Sequence, residues 1–244
     1  MNTNSDSLLN SCEPVQNVQQ MCKIHVNYSI MYAWLIICFK SVAHMMIGAN
    51  VFVALWFAFN STPVSAFHLH VGLSVIGYQL LISHAILCLN KNNGWTSQMS
   101  FLQRMRAHVV LQILGSTLAI IGSVTMILEK SVHFTSIHGK LALAALIFTG
   151  FSFINGVISF LSNGRTSSIK IAKTSHLLCG ILTFTLSSLC LCYGYNKNSF
   201  RTWASQEVAF IMIFITCIST TYVIVNPLTT FTRKFFNLIK VKIW

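Results

Sequence analysis

The chain has 244 residues, of which 54% are hydrophobic and only 8% are charged, whereas a soluble domain carries about a quarter charged residues. This composition excludes an ordinary soluble protein and indicates a membrane protein. The formal net charge of +12 is compatible with basic loops beside a membrane and gives no reason to expect nucleic-acid binding.

Six apolar runs, separated by short polar breaks, indicate six membrane-spanning helices. Each run is close to the roughly 20 residues that a helix needs to cross a hydrocarbon core of about 30 Å. The predicted spans are residues 41–60, 69–89, 107–128, 139–161, 173–194 and 207–227. Because these spans use most of the chain, we predict an all-α polytopic membrane protein without a separate soluble domain.

The segments outside the spans are short. Residues 1–40 are predicted to form a cytosolic tail, in which the apolar stretch 28–38 either lies along the interface or lengthens the first helix. This tail lacks the short apolar core and small-residue cleavage site of a secretory signal peptide. Residues 41–227 are predicted as one six-helix membrane domain, and residues 228–244 as a basic cytosolic tail.

The distribution of basic residues predicts the orientation, because Lys and Arg near helix ends are retained in the cytosol. With both termini cytosolic, the inner set is Lys23, Lys40, Lys91, Arg104, Arg106, Arg165, Lys170, Lys173, Arg233, Lys234, Lys240 and Lys242. The outer set is only Lys130, Lys140, Lys197 and Arg201. We therefore predict cytosolic termini and an inner face that attracts anionic lipid or a small anionic substrate. No signal selects an organelle, and an endomembrane or vesicle membrane is the location we favour.

The eight cysteines indicate neither disulfides nor a zinc site. Six of them fall in or beside apolar spans, where a thiol usually acts as a small hydrophobe, and Cys12 and Cys22 lie in the cytosolic tail. Asn60-Ser61-Thr62 fits a glycosylation acceptor on the outer side, directly after the first span. Whether Asn60 carries a glycan stays open.

Four of the nine histidines each stand at the start of a different apolar span. They are His70, His108, His138 and His176, in spans two to five. A neutral imidazole is a common ligand of a metal or haem iron, and an ionisable residue within a membrane is a functional candidate by default. One histidine at a helix end is more often an interfacial polar residue, but four with matching ends form a pattern that chance seldom produces.

The predicted orientation sorts these histidines into two pairs. Because even-numbered spans begin outside, His70 and His138 lie near the outer face, and His108 and His176 lie near the inner face. Each pair can place two imidazoles on opposite sides of one iron inside a four-helix bundle of spans two to five. Two such sites would hold their irons about 20 Å apart. The pattern therefore predicts a path for electrons across the membrane.

The other histidines give weaker signals. His68 is two residues from His70 and competes with it for the first ligand position, although it lies closer to water. His133, in the outer loop before His138, is a candidate substrate contact. Solvated, interfacial or hydrogen-bonding roles are assigned to His25, His44 and His84.

No carboxylate is predicted to be buried within a span. Asp6 and Glu13 are in the tail, and Glu129 and Glu207 lie at the outer edges of helices. Proton relays and cation-coupled transporters usually depend on buried acids, so this distribution argues against a transporter. A polytopic metal-ion transporter that uses histidine clusters stays as the first alternative function.

At these residues the chain resembles the cytochrome b561 family, in particular its shorter branch of domain-containing transmembrane reductases. The shared features are His70 followed by Leu73, His108 followed by Gln112 within RMRAHVVLQ, the outer stretch HFTSIHG that ends at His138-Gly139, and His176 followed by Gly180. The resemblance runs from Ser41 to Asn226. One departure is Val71, where relatives often have proline directly after the first ligand.

The resemblance implies two b-type haems in spans two to five, each with two histidine ligands. His70 and His138 would hold the outer haem iron, and His108 and His176 the inner one. The resemblance also implies ascorbate as the cytosolic electron donor, ferric iron or monodehydroascorbate as the acceptor on the opposite side, and a homodimer. The expected function is that of a transmembrane ascorbate-dependent reductase, in which the redox chemistry belongs to the cofactor.

Basic residues beside the inner pair are candidates for binding ascorbate, an anion at neutral pH. They are Arg104, Arg106, Lys170 and Lys173, which the positive-inside rule also explains as plain anchors. The acceptor is expected to bind near His133, Lys130 or Lys140. The second alternative function, a haem-anchoring subunit of a larger complex, would contain haem without being reduced by ascorbate in isolation.

Overall fold

The computed structural model describes residues 6–60, 63–91, 93–161 and 167–243. Side chains are described between residues 30 and 236, apart from the same gaps and residues 167–168. Every regular element in these ranges is a helix, so the prediction of an all-α fold is confirmed. The predictions on Ser61, Thr62 and Arg165 lie outside the described residues, as do those on side chains before residue 30 and after residue 236.

Six long helices and one short helix follow one another along the described chain. They are α1 (Asp6–Phe59), α2 (Ala66–Leu87), α3 (Phe101–Glu129), α4 (Ile137–Leu161), α5 (Ser167–Tyr195), α6 (Asn198–Ala204) and α7 (Gln206–Ile243). All of them except α6 contain a stretch that is long and apolar enough to cross a membrane. The prediction of six spans is therefore confirmed, and spans two to five are α2 to α5.

The chain divides into two compact units. The first ends at Val42 and contains the N-terminal part of α1, where the apolar side chains of Trp34, Leu35 and Phe39 are exposed. The second begins at Ala43 and contains every candidate site residue. The proposed boundary between a tail and a membrane domain at residue 40 stays a prediction.

Helices α1 and α7 extend furthest beyond the predicted spans. In α1 the described stretch Ile30–Phe59 is apolar enough to cross a membrane, so it extends the predicted span 41–60 towards the N-terminus. Helix α7 continues to Ile243, beyond Pro227, where the sequence predicts the end of the sixth span. A proline inside a helix removes one backbone hydrogen bond, but α7 stays helical on both sides of Pro227.

Within the second unit, α2 packs along α3 and α4 packs along α5, so that the core consists of two helical hairpins. Contacts between the two hairpins are far fewer. In the first hairpin the backbones approach each other at glycines: a Cβ atom on Gly77 would lie 2.6 Å from the carbonyl oxygen of Gly115, and one on Gly122 would lie 2.9 Å from Ser74 Oγ. The closest packing is thus within a hairpin.

The middle of α2, Val75–Ile82, is a π-helix, whose hydrogen bonds span one residue more than those of an α-helix. Two polar side chains of this segment reach the second hairpin. Tyr78 Oη lies 3.0 Å from Thr149 Oγ1 on α4, and Gln79 Nε2 donates to Ser188 Oγ on α5 at 3.2 Å. The π segment therefore contributes polar contacts between the hairpins.

Helices α1 and α7 are joined to the core by a buried hydrogen-bond network. Asn50 Nδ2 donates to Thr216 Oγ1 at 2.8 Å, and the Tyr195 hydroxyl donates to Asn50 Oδ1 at 3.0 Å. All three residues are buried, so each of these bonds satisfies polar groups that water does not reach. Below, the inner end of the core is the end with the loop 88–100, and the outer end is the end with the loop 130–136.

Candidate functional site

The four candidate ligands, one in each of α2 to α5, form two pairs of facing imidazole rings. At the outer end, the ring centres of His70 and His138 lie 6.3 Å apart, and the ring planes make an angle of 82°. At the inner end, the ring centres of His108 and His176 lie 6.0 Å apart, with an angle of 89°. Each pair takes one histidine from each hairpin, so both pairs bridge the space between the hairpins.

These separations match two imidazoles on opposite sides of one metal ion. An imidazole nitrogen binds a transition metal at about 2.0 Å, and the ring centre lies about 1.15 Å behind that nitrogen, so two opposed rings stand about 6.3 Å apart. The outer pair has this separation, and the inner pair is slightly closer. The residues present therefore fit a centre with one axial imidazole on each side, as in a haem with two histidine ligands.

Each ring is held by a hydrogen bond from Nδ1 to a backbone carbonyl of the other helix in the same hairpin. The acceptors are Gly122 for His70, Ala85 for His108, Cys190 for His138 and Ser152 for His176, at 2.8, 2.7, 2.9 and 2.8 Å. A carbonyl oxygen can only accept, so Nδ1 carries the proton and the lone pair is on Nε2. Such a bond also sets the orientation of a metal-bound imidazole. In all four rings, Nε2 is thus the nitrogen suited to bind iron.

The two hairpins repeat one pattern of histidines and carbonyl acceptors. His70 and His138 each precede their acceptor by 52 residues. His108 follows its acceptor by 23 residues and His176 by 24, although the spacing between the two histidines is the same in both hairpins. The additional residue therefore lies in α2 after His70, where the π segment Val75–Ile82 accommodates it.

A buried thiol supports the inner pair from the loop that follows α2. Cys88 Sγ donates to the carbonyl oxygen of Ala85 at 3.1 Å, and this is the oxygen that accepts from His108. Burial raises the pKa of the Cys88 thiol to about 11, and the positive charge of Arg104 only partly offsets this effect. The thiol therefore stays protonated at neutral pH and acts as a hydrogen-bond donor rather than as a nucleophile.

A cavity of about 280 Å³ adjoins the outer pair. His70 and His138 line it, together with Lys130, His133 and Lys197. No Asp or Glu is among the described residues that line the cavity. Two lysines in a concave site without an acid create a positive potential, so the cavity favours an anionic ligand.

For two lysines, the structure differs from the prediction of which residues contact the acceptor. Lys140, a predicted acceptor contact, is exposed and is not among the lining residues. Lys197 lines the cavity, although no contact with a substrate is predicted for it from the sequence. The segment that follows α5 brings Lys197 close to the loop 130–136. A count of basic residues on each side of the membrane cannot predict that proximity.

The four basic candidates at the inner end fall into two groups. Arg104 is only 9% exposed and its Nη1 donates to the carbonyl oxygen of Met99 at 2.8 Å, which ties the start of α3 to the loop before it. Arg106, Lys170 and Lys173 are exposed. The exposed residues are therefore the ones that a soluble anion can approach directly.

His68 has contacts of a different kind from those of His70. Its Nδ1 accepts a hydrogen bond from the backbone N–H of Ser65 at 2.8 Å, which caps the start of α2. Its ring packs beside Phe59 and Phe67. The structure thus places His68 at the helix start, and His70 is the histidine that faces the second hairpin.

Comparison with known proteins identifies the family. A family model described as Eukaryotic cytochrome b561 matches residues 69–201, which is more than half of the chain and includes all four paired histidines. The chain belongs to the cytochrome b561 family. The mouse (Mus musculus) protein named Transmembrane reductase CYB561D2 is 27% identical over 197 residues, covering 77% of this chain and 85% of the relative. The human (Homo sapiens) protein of that name is 26% identical over 194 residues, with the same coverage.

Membership of the cytochrome b561 family establishes the general class of function. The chain is a multi-pass membrane oxidoreductase that binds haem b. The resemblance found in the sequence is confirmed, and the metal-ion transporter considered as an alternative gives way to a reductase. The b561 family also suggests ascorbate and an electron acceptor as the partners of this reductase.

One glycine of the b561 core leaves room for a paired histidine. A Cβ atom on Gly156 of α4 would lie 3.0 Å from Cε1 and 3.1 Å from Nδ1 of His176. The ring cannot move away without lengthening its 2.8 Å bond to the Ser152 carbonyl. A side chain at residue 156 would therefore push on the ring.

We expect Gly156→Ala to lower the free energy of unfolding by about 1–3 kcal/mol, because it overpacks a ring that is already held. It should also change the absorption of any haem that His176 holds. Gly150→Ala on the same helix is the matched control, since no atom lies within 4 Å of its added Cβ; we expect it to be neutral or to stabilise by about 0.4–1 kcal/mol. Thermal unfolding and absorption spectra of the two variants measure the difference, and equal behaviour would contradict the prediction.

Proposed function

We propose that this protein is a di-haem reductase that carries electrons from cytosolic ascorbate across the membrane to an acceptor on the other side. The observation that supports this most is the presence of two opposed histidine pairs, one at each end of a four-helix core. One pair would hold one haem b, and the two pairs together would provide a path through the membrane. An electron enters at the inner end and leaves at the outer end.

Each part of the protein has a defined task in this proposal. Haem, when bound, supplies a one-electron redox couple. His108 and His176 would hold one haem through Nε2, and His70 and His138 would hold the other. The carbonyl bonds to Nδ1 keep the four rings in position and increase the basicity of Nε2, which affects the redox potential. The protein thus contributes position and potential, rather than groups that react.

The proposed orientation has both termini in the cytosol. It is supported by the excess of basic residues at the inner end and the small number at the outer end. The His108–His176 pair then lies on the cytosolic side, where ascorbate is the donor. The location in an endomembrane or vesicle membrane stays a proposal, and so does the homodimer, which the family resemblance implies.

Exposed basic residues at the inner end are proposed to attract the ascorbate anion. Replacing Arg106, Lys170 and Lys173 with Gln should raise the ascorbate KM by about two- to fivefold for each charge removed, because exposed charges contribute modest energies. Both haems should be retained, and added salt should reduce the difference from wild type. Initial rates over a range of ascorbate concentrations measure the effect.

Arg233→Gln is the matched control for these variants, since Arg233 is exposed and basic, and is assigned to the same side of the membrane. An equal increase of the ascorbate KM in Arg233→Gln would indicate a general surface potential. An unchanged KM in all variants would show that the basic residues are only anchors.

Because His70 and His138 line the outer cavity, their haem would fill part of it, and an acceptor would bind in the remaining part beside Lys130 and Lys197. This remaining part favours an anionic acceptor over a free ferric ion. Lys130 and Lys197 line it and no described lining residue is acidic, so a trivalent cation would be repelled. Monodehydroascorbate, an anion, is therefore the acceptor that we propose first, and ferric iron would enter as an anionic chelate.

Neutralising the cavity should weaken the binding of an anionic acceptor. We expect Lys130→Gln and Lys197→Gln each to raise the KM for monodehydroascorbate by about two- to fivefold. Lys140→Gln provides the comparison, because Lys140 carries the same charge at the outer end but does not line the cavity. Acceptor reduction by vesicles loaded with ascorbate measures the three KM values, and a larger effect at Lys140 would refute the cavity as the binding site.

An absorption spectrum before and after addition of ascorbate, with haem counted per chain, tests the proposed function. Two haems per chain that are both reduced would support it. Two haems that ascorbate does not reduce would favour the haem-anchoring subunit considered above. A single haem would contradict the di-haem proposal.

A further inference from the structure

Two histidines that the proposed electron path does not use meet at the inner end of the core. The ring centres of His44 on α1 and His84 on α2 lie 5.3 Å apart, with planes at 38°. Both side chains are half-buried. Tyr222 of α7 lies edge-on to His44, with ring centres 6.3 Å apart. The contact therefore lies where three helices meet.

The rings of His44 and His84 lie closer together than the two rings in either pair of candidate haem ligands. If a metal ion lies about 3.15 Å from each ring centre, a separation of 5.3 Å corresponds to an angle of about 115° at the metal, close to the tetrahedral value. Rings on opposite faces of a haem must be about 6.3 Å apart. The contact is thus too close for two axial haem ligands and suits a tetrahedral cation.

Hydrogen bonds leave a lone pair on one nitrogen of each ring. His84 Nδ1 donates to the Leu80 carbonyl at 2.8 Å, so its lone pair is on Nε2. His44 Nε2 donates to Asn93 Oδ1 at 3.0 Å, so its lone pair is on Nδ1. Asn93 is 2% exposed, which makes it a firm support for the His44 ring. A ligand ring held through its second nitrogen is the usual arrangement at metal sites.

The donor set selects a class of metal. Imidazole nitrogens suit Zn²⁺, Cu²⁺ and Ni²⁺, whereas Ca²⁺ and Mg²⁺ require several oxygen ligands, above all carboxylates. Zn²⁺ also has the tetrahedral preference that the angle between the rings matches. The neutral ligand pair therefore points to a borderline divalent cation, with the remaining positions open to solvent molecules.

We propose that His44 and His84 bind a divalent transition-metal cation of the zinc class. The ion connects α1 to α2 at the cytosolic end. Ala85, the residue after His84, supplies the carbonyl that holds the His108 ring at 2.7 Å. Metal binding would therefore act on the backbone segment that supports the inner histidine pair.

Titration of the full-length protein, purified with its haem, tests the proposal with ZnCl₂ as the probe. Calorimetry should show one zinc ion per chain, and His44→Ala and His84→Ala should each weaken this binding by about tenfold or more. His133→Ala is the matched control, since it removes a histidine from the opposite end and should leave zinc binding unchanged. No zinc binding by wild type, or equal binding by both variants with wild-type haem content, would overturn the proposal.

A second measurement requires no variant and therefore does not depend on the variants folding. Electron paramagnetic resonance of the wild-type protein with one equivalent of CuSO₄ should show hyperfine coupling to two imidazole nitrogens. Coupling to one nitrogen or none would refute a site made by the two histidines. Because binding is detected without ascorbate, this result is independent of whether the protein is a di-haem reductase.

Discussion

Replacement of His176 with alanine is expected to remove one of the two proposed haems and to abolish reduction by ascorbate. The ring of His176 faces His108 at 6.0 Å, and each would supply one axial nitrogen to the same iron. Loss of a hydrogen-bond partner of a metal ligand weakens metal binding by roughly 10–100-fold. Loss of one of the two ligands themselves should weaken the binding of a non-covalently held haem by more than that. Haem per chain should fall from about two to about one, measured by absorption against protein concentration.

Ser152→Ala is the control for this experiment. Ser152 Oγ lies 3.3 Å from His176 Nδ1, but the principal acceptor is the backbone carbonyl of the same residue, which the substitution keeps. Both haems should remain in this variant, with at most a small change in absorption. Two haems and full reduction by ascorbate in His176→Ala would exclude His176 as a ligand.

Replacement of His138 with alanine should separate the two halves of the reaction. This change removes one ring of the outer pair, whereas the inner pair is untouched. Ascorbate should still reduce the remaining haem within the time of a wild-type experiment, while electron transfer to an external acceptor should fall below detection. Stopped-flow absorption on the donor side and acceptor reduction by loaded vesicles measure the two effects separately.

The comparison with His68→Ala makes the test of the outer pair specific. His68 is also near the start of α2, but it caps the helix at Ser65 rather than facing His138. This variant should keep two haems and lose some stability, by about 0.5–2 kcal/mol. If His68→Ala loses a haem and His70→Ala does not, the assignment of the first ligand to His70 is wrong.

The histidine pairs could be predicted because helix direction alternates in a membrane. A histidine at the start of span two must lie at the same end as one at the start of span four, and this holds for His70 and His138 whatever the details of packing. The same reasoning applies to His108 and His176. Topology alone was enough for the pairing, because it needs no knowledge of side-chain contacts.

Other features depend on contacts that a linear pattern does not contain. The π segment Val75–Ile82 has the same apolar character as an α-helix, and only its backbone hydrogen bonds distinguish it. The carbonyl acceptors are backbone atoms, which carry no residue signature. His44 and His84 lie in different helices, and their contact requires knowledge of how α1 packs on the core.

The acceptors of the four histidine rings also show where the two halves of the core differ. In the second hairpin, Cys190 Sγ and Ser152 Oγ each lie 3.3 Å from the Nδ1 of the histidine they accompany. Their counterparts in the first hairpin, Gly122 and Ala85, have no polar side chain. In each pair, the imidazole of the second hairpin therefore has a polar side chain on the residue that supplies its acceptor, whereas the imidazole of the first hairpin has none on that residue.

The repeat of histidines and acceptors has a consequence for how the core is assembled. If the two hairpins are exchanged, His70 takes the place of His138 and His108 takes the place of His176. Each pair then still consists of the same two histidines. A single hairpin with one histidine near each end thus contains half of both sites and the whole of neither. Two copies of such a hairpin, placed side by side in the same direction across a membrane, are enough to build both at once, which is the geometry of a symmetric dimer joined into one chain.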